Sequence, residues 1–246
     1  MKRFSKSLPW AALIFGGAGY GLYRWLMTTE NEKGFIDKFH ISATLLLVLT
    51  AVMVVGMFIC ARALSRRGKN GFHFPASPWS AMGAWMAAIG IGVVSALELT
   101  NQVDKFQLAA CLLGILAALA LFYVGFCCHK GAKINVLAYV ALCIYFMMHL
   151  ICMYRYWGAR PQLFAYCFQL LAVVCAMLTA YHRGNLAVEA GKCTAYTYFA
   201  LLTIFFCVIC LDKSPMYVGV GLWLMADLCN LTPMPEPVQE AENEAE

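Results

Sequence analysis

Charge is scarce in this chain: lysine, arginine, aspartate and glutamate make up 13% of its 246 residues, against 62% hydrophobic residues. With a mean hydropathy of +0.70, so much apolar surface cannot be hidden in one water-soluble core. Other things are missing as well. There is no Walker-type glycine loop, no HExxH and no GxSxG, which removes support for an ATPase, a zincin or a lipase-like enzyme. No lysine lies deep in the last apolar runs, since Lys213 falls in a turn and Lys192 at a rim, so a retinal protein is excluded. The net charge of +5 is spread over many short loops, which gives nucleic acid nothing to bind. No cofactor motif is present.

What is present is a series of eight apolar runs, near 8–27, 40–64, 79–99, 106–128, 134–153, 162–181, 193–211 and 216–231. A helix rises ~1.5 Å per residue, so ~20 residues match a hydrocarbon core ~30 Å thick. The runs are continuous rather than alternating, and too long for barrel strands. Pro9, Pro78, Pro161 and Pro215 stand at or just before run starts, where a missing N–H costs little. The expected fold is all-α, a polytopic transmembrane bundle over residues 1–231. It has eight spans, or seven if the short last run, which carries Asp227, does not cross. Residues 232–246, with three prolines, five glutamates and no lysine or arginine, read as an acidic disordered cytoplasmic tail.

Basic residues set the orientation. Lys2, Arg3, Lys6, Arg62, Arg66, Arg67, Lys69, Lys130, Lys133, Arg183 and Lys192 lie on one side, eleven in all, against seven on the other. The positive-inside rule places both termini in the cytoplasm, in a cell membrane. A cleavable signal peptide is the competing reading of the first run, but no small-x-small cleavage site follows it. Gly17 and Gly21 instead form a small-residue ridge suited to close helix approach. The basic rims Arg66-Arg67-Gly68, His129-Lys130-Gly131 and His182-Arg183-Gly184 read as helix C-termini capped by glycine. Facing the cytoplasm, they attract anionic lipid of the bilayer.

Polar side chains inside the runs are the candidates for function. Glu98, Gln107, His149, Tyr166 and Gln169, with Arg155 just beyond, all fall in the outer half of spans three to six. Because polar groups are costly in lipid, they are expected to face the bundle interior and line a pocket for a small-molecule substrate. The bland alternative is interhelical hydrogen bonds that merely hold the bundle together. Asp227 lies in the last span, nearer the cytoplasm. Arg183 or Lys130 could keep it charged, and without a partner it is a candidate for proton coupling. Tyr154-Arg155-Tyr156-Trp157 reads as an aromatic belt with a basic anchor.

Twelve cysteines would mean disulfides in a small secreted chain, but within spans they pack as small hydrophobes. Cys207 and Cys210 form a CxxC without the strand-loop-helix setting of a redox motif. Cys127, Cys128, His129 and Cys193 would have to converge from separate loops to hold zinc, so no metal site is expected.

The segments from Phe164 to Gly184 and from Leu222 to Cys229 resemble uncharacterised multi-pass membrane proteins of Gram-positive gut bacteria. That resemblance implies a bacterial cytoplasmic membrane and brings no activity. With almost no mass outside the bundle, the leading expectation is a small-molecule transporter or substrate-binding membrane subunit. The alternative is a membrane sensor or scaffold engaging a soluble cytoplasmic partner, and a membrane enzyme comes third. The topology is checked by labelling Cys128 with a membrane-impermeant maleimide. Reaction from the cytoplasmic face is expected, and reaction from the outer face alone would invert the orientation.

Overall fold

In the computed structural model the described residues are 2–28, 41–67, 72–100, 104–157, 163–188 and 191–233. They form eight helices: α1 (Lys2–Thr28), α2 (Ile41–Arg67), α3 (Pro78–Thr100), α4 (Lys105–Lys130), α5 (Val136–Trp157), α6 (Leu163–Ala187), α7 (Cys193–Ile209) and α8 (Pro215–Cys229). Two-residue strands, β1 (Phe72–His73) and β2 (Thr232–Pro233), pair antiparallel. The segment expected to be a disordered tail lies outside the described residues from position 234 onward.

Helices α2 to α6 are long and apolar enough to cross a membrane. At 17 and 15 residues, α7 and α8 reach only about 25 and 22 Å, against ~30 Å of hydrocarbon. The ends are built by local chemistry. Ser214 caps α8, its hydroxyl accepting from the Met216 N–H, with Pro215 in the first turn. Gly131, at φ 68°, ends α4 in the left-handed region, its N–H donating to the Cys127 carbonyl. Two expectations about ends are corrected. Pro9 lies inside α1, which begins at Lys2. Gly184 does not end α6, which continues to Ala187, because a Cβ there would lie 3.2 Å from Tyr139 Cβ and the helix packs on α5 at that point.

Odd-numbered helices start, and even-numbered ones finish, at the same end of the bundle, called here the inner end because the basic residues gather there. Helix α3 is central: 56% of its apolar window is buried, against 22% for α2, which presents most of its sides to the surroundings. What makes α3 central is its lack of bulk. Gly83, Ala84, Ala87, Ala88 and Gly90 are among its buried residues, and α8 lies directly on them. A Cβ added to Gly219 of α8 would stand 2.6 Å from the Met86 carbonyl oxygen, and one on Gly90 would stand 2.8 Å from the Pro215 carbonyl oxygen. In lipid, where apolar association gains little from water release, such close backbone packing is what holds helices together. On the far side, α1 packs on α7 through Gly16 and Gly19, which face Phe205, Val208 and Ile209. The ridge expected at Gly17 and Gly21 is therefore displaced onto a neighbouring stripe, since nothing lies within 4 Å of a Cβ at either of those two.

Substituting Gly219→Val forces a side chain into the α3 backbone and is expected to cost ~1–3 kcal/mol or more. Thermal unfolding of the purified protein in detergent checks this, with Tm lower by several degrees for Gly219→Val and unchanged for Gly17→Ala.

Candidate functional site: a buried ion pair at the inner end

Asp227 is placed on the face of α8 that meets α3, α6 and α7, and three donors converge on its carboxylate. The Arg183 Nε donates to Oδ2 at 2.9 Å. The Tyr196 hydroxyl donates to the same oxygen at 2.6 Å. The Ser80 hydroxyl donates to Oδ1 at 3.3 Å. Asn230 extends the network, its Nδ2 donating to Ser80 Oγ at 3.0 Å and to the Ala226 carbonyl at 2.9 Å. Only 6% of the Arg183 side chain and 3% of the Asp227 side chain is exposed, so this is an ion pair withdrawn from solvent.

The arginine is enclosed by rings. Its guanidinium carbon lies 3.5 Å from the Phe74 ring centroid and 5.9 Å from those of Tyr139 and Tyr196. Phe74 follows β1 and meets Tyr196 edge-on at 5.6 Å. The β1–β2 pairing, Phe72 with Pro233 and His73 with Thr232, ties the α2–α3 connection to the segment after α8, and so holds Phe74 over Arg183. Among the described residues, the buried Tyr139 hydroxyl and Trp85 Nε1 have no hydrogen-bond partner. Cys128 and Cys193 lie close enough to Arg183 to feel its charge.

A charge in a low-dielectric interior is tolerable only when paired and hydrogen-bonded. Here the carboxylate has three donors, and the guanidinium adds a stacked aromatic face, which attracts cations. Chemically the centre can hold a proton at Asp227 or exchange one carboxylate for another anion at Arg183. Among the described residues no three His, Cys, Asp or Glu side chains gather as metal ligands, and all twelve cysteines are free thiols.

The outer residues singled out in the sequence are distributed over several places. His149 is buried on α5, its ring 5.7 Å from that of Tyr145. Glu98, half-buried on α3, lies in the electrostatic neighbourhood of Tyr145, Cys111 and Cys152. Gln169 is buried on α6 and hydrogen-bonds Tyr23 of α1, with Tyr166 nearby. Gln107 is half-buried at the start of α4. Arg155 is exposed, paired with Asp104 at 2.9 Å and lying 4.4 Å over the Phe106 ring. Glu98 and His149 thus share the α3–α4–α5 side, while Tyr166 and Gln169 belong to the α1–α6 side.

Of the inner centre, Asp227 and its possible partner Arg183 are visible in the sequence. Ser80, Tyr196, Asn230 and Phe74 are not, because hydroxyls and rings in apolar helices carry no signal of their own. One hint was available: Ser80 opens the small-residue stripe of α3. Compared with protein-family profiles, curated proteins and solved structures, the chain matches none.

Asp227→Ala strands Arg183 as an uncompensated buried charge, at an expected cost of ~3–5 kcal/mol. Replacing both partners by apolar residues, Arg183→Met with Asp227→Leu, is expected to recover much of that loss. Unfolding of the single and double variants in detergent checks the sign: a double variant no more stable than Asp227→Ala would contradict the analysis.

Proposed function

We propose that this chain is an integral protein of a bacterial cell membrane, crossed by all eight helices with both termini in the cytoplasm. In this reading it passes a small solute across that membrane, and the Arg183–Asp227 centre is its closed inner gate. The observation that carries the reading is the ion pair itself. Apolar side chains of equal volume would hold four helices together at least as well as a desolvated pair does. What a pair adds is a second arrangement. A proton on Asp227, or an anionic group competing for Arg183, weakens the one contact shared by α3, α6, α7 and α8. Intramembrane ionisable groups serve this kind of role in pumps and transporters. Glu98, Gln107, His149, Tyr166 and Gln169 would then face the solute on its way in, with Arg155 at the outer rim.

A second reading, a membrane scaffold or sensor engaging a soluble cytoplasmic partner, is favoured by the packing of the interior. Two hollows stand out among the described residues. One is an apolar crevice at the inner end between Leu8, Leu64 and Leu228, with no room for water, and the other is an open groove between α4 and α5. Neither is lined by the outer polar residues.

Purified protein reconstituted into vesicles separates the two by light-scattering measurement of swelling in isotonic carboxylates, amino acids, sugars and amines. Transport requires saturable uptake of at least one class. Asp227→Asn is expected to change its rate about tenfold, the factor that corresponds to ~1.4 kcal/mol. Vesicles no more permeable than protein-free ones to every solute would discard the transporter and leave the scaffold.

A further inference from the structure

The groove between α4 and α5 opens away from the bundle and has a volume of about 520 Å³, within the ~300–1,000 Å³ typical of ligand sites. It exists because Ala120, Ala138 and Ala141 leave space that the longer Leu116 and Leu119 wall in. Leu116 and Leu119 are exposed, so the groove faces whatever surrounds the helices rather than an internal path. One end is polar. Tyr123 and Asn135 line it there, and the Asn135 side chain accepts from the Leu137 N–H at 3.0 Å to start α5. The groove thus runs from mid-helix hydrocarbon to the α4–α5 turn.

That turn is cationic and uncompensated. Lys130 and Lys133 are exposed there, and neither takes part in an ion pair among the described residues. From Lys105 to Trp157, through both helices and their connection, the chain contains no aspartate or glutamate. Lys130 is held near the helix wall, its Nζ 5.4 Å from the Phe126 ring centroid. An apolar channel that ends beside a turn bearing two lysines without a carboxylate partner among the described residues is complementary to one kind of molecule, with a long hydrocarbon chain and a negative head.

We infer that the α4–α5 groove binds an acyl chain of an anionic phospholipid of the inner leaflet, whose phosphate is held by Lys130 and Lys133. The inference rests on insertion of the bundle in a membrane and is independent of transport. The chain packs against the alanines, and the headgroup sits where a surface lysine contributes electrostatically to lipid attraction. Zwitterionic lipid fills the same channel without the charge term, so selectivity resides in the turn and occupancy in the groove.

The test uses the full-length protein reconstituted with spin-labelled phosphatidylglycerol or phosphatidylcholine, reading the motionally restricted fraction of each. Phosphatidylglycerol is expected to associate about tenfold or more tightly, in keeping with two lysines acting on one headgroup. Lys130→Gln with Lys133→Gln should bring the ratio to about one while leaving restricted lipid in place. Ala120→Phe, which fills the channel, should remove the tightly held component for both lipids. Equal association of the two lipids with the unaltered protein overturns the proposal, as does a preference that survives both lysine substitutions. Failure of the protein to enter vesicles at all is a different outcome, and it removes the membrane reading on which the site depends.

Discussion

Ser80 reaches Asp227 because the contact between α3 and α8 is made by small residues. Gly83, Gly90 and Gly219 let the two backbones meet, and that approach carries the C-terminal end of α8 into the ring formed by α6 and α7. Remove the small residues and the carboxylate withdraws from its donors; remove the carboxylate and Arg183 is left buried without a counter-charge. Packing and electrostatics are therefore one constraint, in which steric absence on α3 permits charge neutralisation several residues away. Burial makes the constraint severe, since an unpaired charge in a low-dielectric interior costs several kcal/mol.

The two ends of the bundle are held differently. At the outer end, Arg24 pairs with Asp212 and Arg155 with Asp104, both between side chains that remain partly open to solvent. Such pairs contribute ~0–1 kcal/mol and weaken with salt. At the inner end one buried network joins four helices, and the paired strands close over it. An end that is strongly bonded but dependent on a single ionised contact can be released by one local change. Among the described residues the other end shows no buried ion pair of this kind.

The architecture was largely legible in the sequence because length and apolarity alone specify helices for a lipid solvent. The all-helical class and the positions of the eight runs follow from this, while the finer placement of ends does not. Gly184 looked like a terminator because glycine after a basic pair usually is one; here its missing side chain admits Tyr139 instead. Gly17 and Gly21 share a face, but so do Gly16 and Gly19 on the neighbouring stripe, and only a partner helix decides which stripe is used. Asp227 announced itself as an acid in an apolar run, and Arg183 was one of two cations near enough in depth. Tyr196, Ser80 and Asn230 stayed hidden, since their roles come from convergence of helices far apart in the chain.

The contact between α3 and α8 also has a consequence for biogenesis. Thr100 ends one partner and Pro215 begins the other, so at ~5–20 residues per second synthesis of the intervening chain takes on the order of ten seconds. In the last part of that interval, once synthesis has passed residue 183, Arg183 has been made and its counter-charge at residue 227 has not. A polypeptide arrested before α8 would hold a guanidinium without the carboxylate that neutralises it in the complete bundle. Completion of the fifteen-residue helix α8 is thus the event that supplies Arg183 with its counter-charge.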